Sequence, residues 1–449
     1  MSAGATNGMA PLSSLTNSQR EELHQSILEY MHRSGFEDAY EALKKDADMP
    51  DFSPSTAPQK VVGLLEKKWT GTVRLQKKVI AYEQQITNLE AELKAAPTGR
   101  RAASQADWLP SNDPSRILEG HRKQVISVVF HPTFSIVATA SEDCDVKVWD
   151  WQSGECEATL KGHTQSVKDV DFDAKGQFLA TSSADTQIKL WDSNNQWRCT
   201  KTLAGHEHVV SAVRFLPGGA QLVSASRDET IRIWEASSGY CVRTIQGGAW
   251  IKCMSLAEDG QTLVTGGDDQ VAKAWNLNSA QSKAECREHA HVVDAIALAP
   301  AAAYPALRQL GGMPASNQNA PGLFAASGDR DKTIIIWDTA SGQPVKKLLG
   351  HDGWIRGLCW APNGKFLLSC ADDGKLKVWD LKQGGRCCRT VENPHDENGR
   401  SRFLTSMAWA RAKVDAGPRP DGESATAVVP RINAVATTGS DTRICIWTP

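Results

Sequence analysis

The chain has 449 residues, 41% of them hydrophobic and 23% charged, with a formal net charge of −2 at pH 7. That length exceeds a single small domain, and the near-neutral balance leaves no electrostatic footprint for nucleic acid. No run of about 18 apolar residues occurs and the N-terminus lacks a charged-then-apolar pattern, so neither a membrane insertion nor a signal peptide is expected.

Residues 1–17 are rich in Gly, Ser, Ala and Asn and are expected to be disordered. Ser18-Gln19-Arg20-Glu21 sets a serine three residues ahead of a glutamate, a capping box that should open a helix. That helix carries Leu23, Ile27, Tyr30 and Met31 at helical spacing, and Ser34-Gly35 ends it. A second helix carries Phe36, Ala39, Tyr40 and Leu43 ahead of Pro50. Two helices this short bury too little core to stand alone, so self-association is the physical expectation. The pattern of Ile27, Leu28, Tyr30, Met31, Gly35, Phe36, Ala39, Tyr40 and Leu43 resembles the LisH dimerisation motif over residues 18–50. The resemblance implies a homodimer formed through Ile27, Leu28, Tyr30, Met31, Phe36 and Tyr40. The alternative is a helical hairpin packed on the rest of its own chain.

A Pro-bearing connector, residues 51–58, leads into a third helical stretch at 59–94. Val61, Lys68, Leu75, Tyr82 and Leu89 interleave with Leu65, Thr72, Val79, Ile86 and Leu93 in a heptad pattern, which predicts a coiled coil. The seam is imperfect, since Lys68 and Thr72 are polar and Gly63 and Gly71 weaken the helix. A short parallel dimer with Leu65, Leu75, Val79 and Ile86 in its seam is expected; a lone amphipathic helix folded back on the remainder is the competing reading. Residues 95–114, rich in Pro, Gly, Ser and Ala with Arg100-Arg101, read as a flexible linker.

From residue 115 to 449 the chain repeats itself. Tryptophans close each copy at Trp149, Trp191, Trp234, Trp275, Trp337, Trp379 and Trp447, mostly about 42 residues apart, the period of a four-stranded propeller blade. The two longer intervals hold Gly/Ala/Pro-rich stretches near 301–322 and 413–430, read as inserted loops. Six residues ahead of each tryptophan stands an aspartate: Asp143, Asp185, Asp228, Asp269, Asp331, Asp373 and Asp441. Four residues earlier again stands a hydroxyl: Thr139, Thr181, Ser224, Thr265, Ser327, Ser369 and Thr437. A histidine opens the copies at His121, His163, His206, His289 and His351; the fourth has Gly247 there, and for the seventh His395 and Arg400 compete. This pattern resembles the WD40 family, which implies a mainly β fold: a seven-bladed β-propeller behind the small α-helical segment and coiled coil. In each blade Trp, hydroxyl, His and Asp would form a buried hydrogen-bonded chain, such as Trp191, Thr181, His163 and Asp185. Arg116-Ile117-Leu118 is a β-like run without a partner in the first repeat, and repeat seven lacks an outer strand of its own. Pairing the two would close the ring and remove an open edge.

Several strings narrow the resemblance. Leu64-Leu65-Glu66-Lys67-Lys68-Trp69-Thr70, His131-Pro132-Thr133-Phe134-Ser135, Ser224-Ala225-Ser226-Arg227-Asp228 and Leu368-Ser369-Cys370-Ala371-Asp372-Asp373 are similar to the lissencephaly/nuclear-distribution family of dynein regulators, in a fungal-type version. The family implies a homodimer that binds the cytoplasmic dynein heavy chain at its motor ring. It also implies microtubules reached indirectly and a partnership with a nuclear-distribution coiled-coil adaptor protein. Nuclear migration, spindle positioning and retrograde transport follow, in the cytoplasm at microtubule ends and the spindle pole. The family's dynein-binding positions correspond here to Lys161, Arg227, Lys252, Arg330 and Trp354; Lys252 replaces a family arginine, keeping charge but losing the planar fork. The competing reading for each arginine taken singly is a solvated turn charge or a salt bridge to its own blade, and for Trp354 a half-buried aromatic at a strand start.

No phosphate-cradling loop, nucleophile elbow or metal-spaced His/Cys cluster is present, so neither catalysis, a metal nor a cofactor is expected. The blade His–Asp pairs read as scaffold because they recur copy after copy. The 11 cysteines form no C-x-x-C pair, which suits a cytosolic protein with small buried thiols. A different class of function, a LisH-WD40 adaptor of a ubiquitin-ligase or chromatin complex, would show itself by nuclear location and cullin or histone partners.

Overall fold

The computed structural model describes residues 17–47, 108–313, 322–392, 403–410 and 433–449. The expected disordered N-terminus up to residue 16, the coiled coil at 59–94, the insertion at 413–430 and both His395 and Arg400 lie outside the described residues. The chain divides into two compact units, residues 1–100 and 101–449.

In the first unit, α1 (Asn17–Arg33) and α2 (Glu37–Asp46) form a helical hairpin. Helix α1 begins at Asn17, so Ser18 lies inside its first turn rather than ahead of it; helix ends fray within a residue or two of their signals. Its C-terminus closes as a Schellman motif. Gly35 sits at φ +77°, the Phe36 amide donates to the Met31 carbonyl at 2.9 Å and the Gly35 amide to that of His32 at 3.2 Å. Leu28 and Tyr40 are buried in the hairpin, Ile27 and Met31 half-buried, while Leu23, Tyr30 and Phe36 are exposed.

Among the described residues the second unit holds seven four-stranded antiparallel sheets, each built from consecutive strands except the last. Blade two is representative: Val167–Phe172 innermost, then Phe178–Ser183, Ile188–Asp192 and Arg198–Leu203 outermost. Alternation sends one set of side chains to each sheet face, and those faces pack blade on blade. Val146, Val148 and Leu160 of blade one thus meet Val167, Val170, Phe172, Leu179 and Trp191 of blade two. The seventh sheet takes its outer strand from the other end of the chain, as expected. Arg116–Leu118 pairs with Ile444–Trp447, with Arg116 opposite Ile446 and Leu118 opposite Ile444. Leu118, Val125, Ile444 and Ile446 share one apolar cluster, so ring closure is sealed by packing as well as by ladder bonds.

Three expectations need correction. The insertion near 301–322 is not simply a loop: Ala301–Ala303 forms a 3-10 turn and Tyr304–Leu310 a helix, α3, with Pro at its start. Tyr304 and Leu307 are fully buried among Phe324, Ile334 and Leu348. The end of the linker is also structured. Trp108 meets Trp409 edge-on at 5.8 Å, and the Arg389 guanidinium donates to the Pro110 carbonyl at 2.6 Å. Finally, only Cys286, Cys370 and Cys445 are buried thiols; Cys156, Cys387 and Cys388 are exposed and the rest intermediate. Cys156, Cys199, Cys241 and Cys387 lie on outer strands opposite closing tryptophans, where one face is open. Among the described residues no helix is long and apolar enough to cross a membrane.

Candidate partner-binding face

The polar chain predicted for the blades fixes where each turn sits. In blade two the Trp191 indole donates to Thr181 Oγ1 at 3.0 Å, Thr181 lies 2.8 Å from His163 Nε2, and His163 Nδ1 lies 2.8 Å from Asp185. The indole only donates and the carboxylate only accepts, so Nδ1–H donates to Asp185, and when the ring is neutral the hydroxyl donates to Nε2. Burial works against ionisation of Asp185, yet the His163 hydrogen bond and charge, with the Thr164 and Gln187 amides, hold its pKa down at about 2. The same chain is complete in blade one (Trp149, Thr139, His121, Asp143), blade three (Trp234, Ser224, His206, Asp228) and blade six (Trp379, Ser369, His351, Asp373).

The other blades depart from it. Blade four keeps the Trp275–Thr265 bond at 2.8 Å but has Gly247 in place of histidine. Lys273 substitutes: its ammonium pairs with Asp269 at 2.7 Å and donates to the Gly247 carbonyl at 2.9 Å. In blade five the carboxylate is not Asp331, which is exposed, but Asp329, two residues after Ser327 at the end of the second strand. Asp329 takes the His289 Nδ1 proton at 2.9 Å and the Thr333 amide and hydroxyl, each at 3.1 Å. Arg330 therefore follows the network aspartate of its blade, whereas Arg227 precedes its own, Asp228. The Trp337 and Trp447 indoles have no hydrogen-bond partner among the described residues.

Antiparallel order brings the connections between blades and the turns between second and third strands to one face of the ring. A backbone clamp repeats there, unseen in the sequence. The carbonyl of the third residue after each histidine position accepts the amide of the third residue after each hydroxyl. The pairs are Gln124–Glu142, Ser166–Ala184, Val209–Arg227, Trp250–Asp268, Val292–Arg330, Trp354–Asp372 and Phe403–Ser440, all at 2.9–3.2 Å. Arg227 and Arg330 thus occupy equivalent turn positions.

On this face Lys161 is exposed in the connection from blade one to blade two. Arg227 is half-buried, with Nε enclosed and without a partner. Lys252, Arg330 and Trp354 come together around Asp294, a residue the sequence did not single out. Asp294 accepts from Arg330 Nε at 2.7 Å and lies 3.6 Å from Lys252 Nζ and 3.4 Å from the Arg356 guanidinium. Arg356, likewise missed, also forms a fork with Asp372 at 2.7 and 2.8 Å. Burial disfavours the Arg356 charge, but Asp372 and Asp294 more than restore it. Trp354, 40% exposed, takes the Arg330 guanidinium at 4.6 Å and that of Arg356 at 5.0 Å from its ring centre. Two cations over one indole, pinned by carboxylates, make a rigid aromatic platform of the kind that anchors protein interfaces. Lys161 and Arg227 form no ion pair among the described residues. No group of His, Cys, Asp and Glu among the described residues is placed to hold a metal ion.

Fold and face together define a LisH-bearing WD40 β-propeller whose chemistry is that of an interaction scaffold. The family model for the PAC1 LisH domain matches residues 17–52, and that for the WD domain, G-beta repeat, matches 112–150, 154–192, 197–235, 239–276 and 342–380. The nuclear distribution protein nudF of Aspergillus terreus is 42% identical over 439 residues, covering 95% of this chain and 97% of that protein. The nuclear distribution protein PAC1 of Coccidioides posadasii is 44% identical over 427 residues, covering 91% and 89%. The chain belongs to the nudF/PAC1 nuclear distribution protein family.

Proposed function

We propose that this protein is a non-catalytic homodimeric regulator of cytoplasmic dynein that acts in nuclear distribution. Its propeller binds the dynein motor ring through the face bearing Lys161, Arg227, Lys252, Arg330 and Trp354. Binding there controls microtubule attachment and the assembly of transport complexes in nuclear migration, spindle positioning and retrograde transport. The carrying observation is the Arg330–Trp354–Arg356 stack held open to solvent by Asp294 and Asp372. An arrangement that spends two arginines on an exposed indole gains little for the fold and much for a partner. Dimerisation rests on the helical hairpin, whose Leu23, Tyr30 and Phe36 are exposed apolar side chains that a second copy would cover. The dimer sits in the cytoplasm at microtubule ends and the spindle pole, alongside a nuclear-distribution coiled-coil adaptor.

The test combines Arg227→Ala with Trp354→Ala in the full chain. The double variant is expected to lose co-elution with a dynein motor domain while unfolding at the wild-type temperature. Wild-type co-elution by the variant overturns the assignment of this face. Light scattering of the intact protein at tens of micromolar should give a dimer mass, and a monomer mass removes the pairing claim.

A further inference from the structure

Blade four repeats the constellation of blade six on the same face. Trp250 stands three residues after Gly247 as Trp354 does after His351, and both carbonyls accept the clamp amide, from Asp268 at 3.0 Å and Asp372 at 2.9 Å. Two residues further on, Lys252 matches Arg356, and each cation pairs with the aspartate of its own turn: Lys252 with Asp268 at 3.4 Å, Arg356 with Asp372 at 2.7 Å. Between them, at the same strand position of blade five, Asp294 holds both cations. Trp250 is 44% exposed, close to the 40% of Trp354, and its ring lies 5.7 Å from that of His208 on the blade-three connection. Phe403 of blade seven occupies the same clamp position, but the residue two further on is Thr405, not a cation. An indole at the clamp position with a cation–carboxylate pair two residues on is therefore found in blades four and six. Among the described residues, cations lie over the ring at Trp354, and His208 lies beside that of Trp250.

We propose that Trp250 is a second aromatic anchor for the same partner, so that the partner lies across blades three to six instead of resting on Trp354 alone. This rests on the motor-binding reading above. The chemistry selects the occupant: one amphipathic, acidic surface of the motor ring. Its apolar side chains cover the two indoles, and its carboxylates meet Arg227 of blade three, which forms no ion pair among the described residues. A half-exposed tryptophan backed by an imidazole offers apolar area at small entropic cost, which is why such residues dominate binding energy when they are covered.

The experiment measures binding of the full-length protein to a dynein motor domain by biolayer interferometry for wild type, Trp250→Ala, Trp250→Phe, His208→Ala and Arg330→Ala. Trp250→Ala is expected to weaken binding about tenfold or more, Trp250→Phe to stay within about threefold, and His208→Ala to fall between them. The Trp250 and His208 variants should unfold at the wild-type temperature, because the Trp250 ring is half in solvent and His208 is exposed. If Trp250→Ala binds like wild type while Arg330→Ala is weakened, the second anchor is wrong and the motor-binding reading stands. If Arg330→Ala also binds like wild type, or the wild type does not bind, both fall. Should Trp250→Ala unfold early, Trp250→Phe and His208→Ala decide: wild-type affinity in His208→Ala together with an unfolding defect in Trp250→Phe assigns the ring to the fold and overturns the proposal.

Discussion

Asp329 and Asp331 separate what the repeat pattern nominates from what the blade uses. The register picks Asp331; the structure gives the role to Asp329, whose side chain and that of His289 are both 0% exposed. Replacing Asp329 with Ala strands three donors: His289 Nδ1–H, the Thr333 amide and the Thr333 hydroxyl. The hydroxyl can rotate to another acceptor, whereas the amide cannot, and the ring keeps one nitrogen without a partner in either tautomer. Each stranded buried donor costs about 1–3 kcal/mol, so the loss should be about 3–4 kcal/mol. With an unfolding entropy of about 0.7 kcal/mol/K for a domain of this size, the unfolding temperature should drop by about 5 °C. Asp331→Ala removes an exposed carboxylate and should stay within about 0.5 kcal/mol. Urea titration followed by tryptophan fluorescence, beside a thermal scan, measures both. Equal losses for the two variants, or less than about 1 kcal/mol for Asp329→Ala, would refute the reassignment and the argument from stranded donors.

Trp379→Phe breaks a 2.8 Å indole bond to Ser369 while Trp337→Phe breaks none, so in the same titration the first should cost about 1 kcal/mol more than the second. Lys273→Ala leaves Asp269 without its cation and should lower stability by about 1–2 kcal/mol; Lys189→Ala, whose ammonium reaches only the exposed Thr202, should stay within about 0.5 kcal/mol. Acid should act through the network. Asp143, Asp185, Asp228, Asp329 and Asp373 all sit below the ordinary 3.8, Asp185 at about 2. Their contribution is complete above the unfolded value and lost as pH falls from about 4 toward 2. Stability measured across that window should therefore drop steeply in the wild type and less steeply in Asp185→Asn.

Much of this architecture was legible in the chain because the repeat is written in residues that fold locally. The closing tryptophans, the hydroxyls and the ring-closing Arg116–Leu118 strand all stand where spacing placed them. Departures arose where tertiary geometry chose between near neighbours. Asp329 and Asp331 are two residues apart, and only the end point of the second strand decides which carboxylate faces His289. Lys273 sits opposite Thr265 on the third strand, as Lys189 sits opposite Thr181, yet it turns to Asp269 because no imidazole fills the space. Helix α3 hid in an Ala/Pro-rich stretch because the burial of Tyr304 and Leu307 is decided by the next blade. At the candidate face the cations were legible through family resemblance, whereas Asp294 and Arg356 were not: a carboxylate joining three blades carries no local signature.

That carboxylate divides the cations of the face into two kinds with different kinetic consequences. Lys252, Arg330 and Arg356 are tied to Asp268, Asp294 and Asp372, so their summed field is nearly cancelled and their value lies in fixed geometry. Lys161, exposed, and Arg227, half-buried, have no such partner among the described residues, so their charge is not cancelled. Unpaired charges act over roughly a Debye length and set encounter rates, whereas rigid desolvated anchors set residence time. Lys161→Ala with Arg227→Ala should slow association with a motor domain about three- to tenfold at low ionic strength, and the defect should shrink as salt rises. Trp354→Ala should leave association nearly unchanged and speed dissociation about ten- to thirtyfold at any salt. Rates by interferometry at two ionic strengths distinguish the cases. A salt-sensitive association defect in Trp354→Ala, or a pure dissociation defect in the Lys161/Arg227 variant, would show that Asp294 does not partition the face in this way.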